Sequence, residues 1–305
     1  VPPIHRILVF AVLALSTVPG FSAEPVLPAG GVVALVGGEA MLAAAEAGYL
    51  EAEILRELPG RQLRFRCLAW EGDTVFEQRR DLNFPTIESQ IDQVAASVVV
   101  AQFGEMESLA GESKLGEFVA AYEGLIDRLA AGGKRRVVLV GPLCAPALSE
   151  GQARRHEGKW RIYSAAIREL AERRGLLFVF PENPRAVDAR QGADRLELRE
   201  QQLAAMARSL AQQLSGKVRI ERNAEIDVRW QALRPAIEAK NRLWFNYWRP
   251  QNWAFLNGDR TAQPSSRDHV DPSKRWFPAE MEQFLPLIEK QEREIDALAA
   301  KLSTP

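Results

Sequence analysis

The sequence predicts an α/β protein, a three-layer α/β/α sandwich on a five-stranded parallel sheet, followed by a C-terminal helical appendage. Three observations carry this expectation. Five short runs are almost wholly apolar, and glycine or proline flanks most of them. Between them lie longer segments in which apolar residues return every three or four positions. Beyond residue 218 no run is strand-like enough to extend a sheet. Strands that are apolar on both faces need cover on both faces, as in a parallel sheet between two helix layers. Right-handed crossovers then wind the chain to both sides.

In chain order, 32–36 is the first strand, bracketed by Gly30-Gly31 and Gly37-Gly38. Residues 39–58 have helical spacing through Leu42, Ala45, Tyr49, Ile54, Leu55 and Leu58, and stop at Pro59-Gly60. The second strand is 63–68, and a short helix near 87–94 leads to the third at 98–103. A helix at 115–129 ends at Gly132-Gly133, and the fourth strand, 137–140, ends at Gly141-Pro142. A helix at 160–173, a fifth strand at 176–180 and a helix at 196–214 complete the sandwich. The appendage reads as helices at 226–245 and 281–302 around an irregular stretch rich in Trp, Asn, Pro and Arg. The domain reading is therefore a sandwich over 24–217 and an appendage over 218–305. In such sheets ligands bind beyond the carboxyl ends of the strands. The loops of interest start at Gly37, Trp70, Gly104, Gly141 and Pro181.

Composition narrows the function. The chain has 305 residues, 47% of them hydrophobic, enough for one large core. Lys plus Arg total 39 against 40 Asp plus Glu, and the net charge of -1 supplies no field to attract nucleic acid. Basic pairs such as Arg79-Arg80, Arg135-Arg136 and Arg173-Arg174 are short and read as solvated faces. At the N-terminus, His5 and Arg6 precede an apolar run at 7–15, and small residues follow up to Phe21-Ser22-Ala23. Residues 1–23 thus read as a signal peptide, since a span needs about 20 apolar residues. The mature chain is expected in the periplasm or secreted, with no membrane span. Cys67 ends the second strand and Cys144 follows the fourth, three strand spacings or about 14 Å apart. A disulfide tolerates about 7 Å between Cα atoms, so both read as free thiols. Two cysteines are too few for a structural zinc site. No cofactor or resident metal is expected.

The loops carry Leu35-Val36-Gly37-Gly38-Glu39, then Ala69-Trp70-Glu71-Gly72-Asp73-Thr74, then Phe103-Gly104-Glu105-Met106-Glu107-Ser108. Asp194-Arg195-Leu196-Glu197 opens the last sandwich helix. In order and spacing these segments resemble the four sequence blocks of SGNH (GDSL-type) hydrolases, esterase-like enzymes on a flavodoxin-like sandwich. More narrowly they are similar to an exported, planctomycete-type branch. The appendage shares that likeness in Ala239-Lys240-Asn241, Trp248-Arg249-Pro250-Gln251-Asn252 and Phe277-Pro278-Ala279-Glu280-Met281.

The resemblance implies a hydroxyl nucleophile in the first block, oxyanion-hole contributions from a glycine in the second and an asparagine in the third, and a histidine base in the fourth supported by an aspartate three residues earlier. A hydroxyl attacks only when an imidazole takes its proton, and the oxyanion needs preorganised donors. Gly72 and Asp194 match. The nucleophile position holds Glu39, the asparagine position Met106 and the base position Glu197. Of the three histidines, His5 lies in the signal segment, His156 opens a helix and His269 lies in the appendage. The leading expectation is a pseudoenzyme that keeps the cleft for binding.

Two further readings remain open. Glu39, either Glu105 or Glu107, Asp194 and Glu197 converge at the strand ends if the fold holds. They would then either recruit a Ca²⁺- or Mg²⁺-type cation or act as an acid–base pair on ester or glycosidic bonds, against a decayed pocket facing water. Five of the seven tryptophans (Trp230, Trp244, Trp248, Trp253 and Trp276) lie in the appendage. With Arg249 and Asn252 they either stack on a glycan or an exported protein partner, or glue the appendage to the sandwich. Trp70 is a further binding candidate. In a third reading the protein is a structural subunit that docks a partner through this segment.

Overall fold

The computed structural model describes residues 26–142, 150–180, 195–216 and 224–303, with backbone alone at 150, 152–155, 195–199, 202 and 224–227. Residues 1–23, expected to be a signal peptide, Cys144 and Asp194 lie outside the described residues, as does the Glu197 side chain.

Five strands, β1 (Val32–Gly37), β2 (Arg64–Cys67), β3 (Val98–Gln102), β4 (Arg136–Val140) and β5 (Leu177–Val179), form one parallel sheet in the order β2-β1-β3-β4-β5. This doubly wound order places the crossover point between β1 and β3. In register, Gly37 lies opposite Gln102 there. Because strand side chains alternate, Val33, Leu35, Val98 and Val100 enter one core, and Ala34, Val36, Val99 and Ala101 the other.

The first core is covered by α1 (Glu39–Glu46), α2 (Tyr49–Glu57) and α6 (Arg195–Ser215), the second by α3 (Ile87–Gln93), α4 (Leu115–Ala130) and α5 (Glu150–Arg174). The C-terminal segment adds α7 (Ala224–Gln231), α8 (Arg234–Trp248), the single turn α9 (Trp253–Leu256), α10 (Trp276–Glu282) and α11 (Phe284–Leu302). No helix among the described residues is long and apolar enough to cross a membrane.

Several helices depart from the periodicity. The single helix expected over 39–58 is two, because Gly48 takes φ +70°. The break lets α8 lie close: a Cβ on Gly48 would stand 3.2 Å from Ile237 Cγ2. Asn241 and Arg234 donate to the Ala45 and Ala47 carbonyls freed there. Gly48→Ala is expected to cost about 1–2 kcal/mol in urea unfolding, the strain of a left-handed alanine. The 226–245 helix is likewise two, and the 281–302 helix is preceded by α10. Helix α5 starts ten residues before the expected 160, at Glu150, and so carries His156 inside it. Residues 150–159 are polar and show no apolar repeat, so the periodic signal begins only at Trp160.

The C-terminal helices are built onto the sandwich. Trp244, Trp248 and Ile288 belong to the second core. The edge strand β2 is covered by α8 and α11, where Arg64 forks onto Asp296 at 3.2 and 2.7 Å and Arg66 meets Glu292 at 2.6 Å. Covering that edge removes a template for pairing with another chain.

Candidate functional site

The carboxyl ends of β1 and β3 define the site. Gly37 ends β1 at φ +148°, and a Cβ there would meet the Gln102 carbonyl oxygen at 2.3 Å, so only glycine lets the two strand ends approach so closely. Gly38 caps α1, and Glu39 stands exposed in its first turn. The loop after β2 is tied to this turn by the Trp70 N–H, which donates to the Gly37 carbonyl at 3.0 Å. Gly72 is exposed at φ +81° on that loop. Asp73 beside it is buried and held by the Arg80 fork at 2.7 and 2.9 Å.

The loop after β3 brings two more carboxylates. Glu107 is buried, and its oxygens accept the Val75 N–H at 2.8 Å and the Gly104 N–H at 2.9 Å. Burial raises its pKa, and those two donors and its own amide oppose the rise. The Ala40 N–H at the start of α1 faces Glu105 and favours its charged form. Burial, then the Glu39 charge, then the Glu107 charge push its carboxyl up to about 7. No basic side chain is among the influences on it. Met106 is 53% exposed and points no polar atom anywhere.

Glu39 and Glu107 thus lie close enough to Glu105 at the strand ends to act on its charge, and Gly72 and Met106 sit on the loops after β2 and β3. Among the described residues, no three His, Cys, Asp or Glu side chains are arranged to hold a metal ion. The hydroxyls nearby are committed: Ser108 Oγ donates to the Glu105 carbonyl at 2.7 Å, and Thr74 closes a turn with Glu77. His156 has a buried Nδ1 without a hydrogen-bond partner and lies beside Trp160, and His269 is exposed on a loop. The Cys67 thiol is free and pushed up to about 12 by burial, so it is not a nucleophile.

The binding candidates of the C-terminal segment reach the site indirectly. Trp248 is buried and packs its ring edge-on to Trp70, 5.6 Å between centroids, so it presents no free face for a ligand. Arg249 lies 3.7 Å over the Trp70 ring and pairs with Glu71 at 2.8 Å. Asn252 is half-buried just before α9.

Two features at the site escaped the reading of the sequence. Gln102 is 1% exposed at the end of β3, and neither amide atom has a partner. A lone glutamine inside the apolar run 98–103 is a signal of the kind that finds such a residue. The Asp73–Arg80 pair is seven residues apart in an irregular loop, a separation with no periodic signature.

The sequence matches no protein-family profile, and no curated protein is similar to it. Among solved structures, a gut microbial diltiazem-metabolizing enzyme aligns at a TM-score of 0.50 and 10% identity, over 90% of this chain and 95% of that one. An active site mutant of a family two carbohydrate esterase from Clostridium thermocellum aligns at 0.44 and 15% identity, over 62% and 64%. A catalytic mutant of an acetylxylan esterase from Geobacillus stearothermophilus aligns at 0.42 and 14% identity, over 64% and 99%. The sheet order and flanking helices make this chain a three-layer α/β/α sandwich on a five-stranded parallel sheet, with additional C-terminal helices.

Proposed function

We propose that this protein keeps the SGNH cleft for binding and has lost hydrolysis through a hydroxyl nucleophile. One observation carries the reading: carboxylates of the chain itself occupy the strand ends and draw main-chain donors there, while Met106 offers no donor where the oxyanion asparagine is expected. The Val75 and Gly104 N–H groups bond to Glu107, and the Ala40 N–H faces Glu105. An oxyanion hole requires free donors aimed at the charge that develops on the substrate. Here the developing charge would instead face Glu39, Glu105 and Glu107. Losing a single oxyanion donor costs roughly 10²–10³ in rate. Residues 1–23 are read as the leader of an exported chain, and the ligand as a glycan or an exported protein.

The raised Glu105 carboxyl beside Glu39 favours a second reading, a carboxylate pair working as acid and base on an ester or glycosidic bond. One assay separates the two. Purified protein is given p-nitrophenyl acetate, acetylated xylo-oligosaccharides and aryl glycosides across pH 5–9. The binding reading expects no turnover above buffer. Turnover abolished by Glu105→Gln or Glu39→Gln establishes the carboxylate pair, and turnover stopped by a serine-directed fluorophosphonate overturns both readings.

A further inference from the structure

We infer that Arg249 is a positioning residue for the cleft, through which the C-terminal segment holds the Trp70–Glu71–Gly72–Asp73 loop against the start of α1. That this loop walls a binding site rests on the proposed function. That Arg249 holds it rests on geometry alone.

The loop between β2 and α3 has no regular secondary structure of its own from 68 to 86. Its own turns and the Arg80–Asp73 fork shape it locally, and the C-terminal segment adds contacts along its length. At its base, Trp244 Nε1 donates to the Cys67 carbonyl at 2.8 Å. At its far end, Trp253 Nε1 donates to the Leu82 carbonyl at 3.2 Å, and Asn83 Nδ2 donates to the Asn257 carbonyl at 2.9 Å. Between these ties, Trp70 meets Phe84 and Trp248 edge-on, at 5.4 and 5.6 Å between centroids.

Arg249 acts at the part nearest the cleft. Its guanidinium lies 3.7 Å from the Trp70 centroid and 5.1 Å from that of Phe245, and it binds Glu71 at 2.8 Å. Arg80, neutralised by Asp73, lies 4.6 Å from the same Trp70 centroid. A planar cation held by a ring and a carboxylate at once has few alternative positions. Trp70 in turn donates its N–H to Gly37, and the Asp73 carbonyl lies 3.5 Å from where a Gly38 Cβ would be. The chain of contacts therefore runs from Arg249 through Trp70 to the turn that carries Glu39.

Hydrogen exchange on the full chain tests this without any ligand. Arg249→Ala is expected to speed exchange of the Trp70, Asp73 and Val75 amides at least tenfold, with β3 and β4 unchanged. Arg249→Lys, which keeps the charge and the reach to Glu71 but not the planar stack, is expected to fall between. Unchanged exchange at 70–75 in Arg249→Ala overturns the inference. So does an equal rise across β3 and β4, which marks general destabilisation. Hydrolysis in the ester assay would sink the binding reading and leave this result standing.

Discussion

Glu105→Gln is expected to stabilise the folded chain at pH 8 by about 1–3 kcal/mol and to change little at pH 4. The carboxyl has an ordinary value of 4.5 and is pushed up to about 7 in the fold, by burial first and by the Glu39 and Glu107 charges next. Below 4.5 both folded and unfolded chains hold the proton, and the group contributes nothing to the pH dependence. Between 4.5 and 7 the unfolded chain releases its proton while the folded chain retains it, so stability falls as pH rises. Above 7 the loss is complete, on the order of 3 kcal/mol at most. A glutamine removes the charge and keeps an oxygen for the Ala40 N–H. Urea unfolding of wild type and variant at pH 4, 6 and 8 measures the effect. A difference that does not grow with pH would mean that Glu105 is already solvated or paired with a cation.

Lys240→Met is expected to cost about 3–5 kcal/mol, the penalty for breaking a buried ion pair on one side. Lys240 is 0% exposed on α8, and its Nζ meets Glu51 Oε2 of α2 at 2.6 Å. Burial is the largest influence on Glu51 and raises its pKa, and Lys240 opposes the rise. Without the lysine the carboxylate must be protonated or stay charged in an apolar interior, so the loss grows as pH rises. The double variant Lys240→Met with Glu51→Leu is expected to recover most of the stability, since apolar replacement of both partners removes the desolvation cost as well. A double variant as unstable as the single would show that the pair matters for packing rather than for charge. The pair also joins the C-terminal segment to the sandwich, beside the Arg66–Glu292 bridge.

The order of elements was largely legible because each strand is a short run that is apolar on both faces and each helix repeats its apolar positions. The helix breaks were less so. Gly48 stands within an unbroken helical pattern, and its left-handed conformation follows from α8 pressing on it, a contact more than 180 residues away in sequence. For the candidate site, the strand-end loops were legible from the pattern of strands, and Glu39, Gly72 and Met106 within them were named through the resemblance. Their states were not. That backbone amides bond to Glu107 while no basic side chain acts on Glu105 depends on how three loops meet.

What this sequence determined by itself was a parallel sheet, its helices and the chemical character of the strand-end loops, because apolar periodicity and glycine punctuation act over a few residues. Only the tertiary structure decided which carboxylates are satisfied, which remain strained by like charge, and that the C-terminal helices wall the second loop. Burial and electrostatic potential are sums over neighbours brought from everywhere in the chain, and no local pattern encodes such a sum.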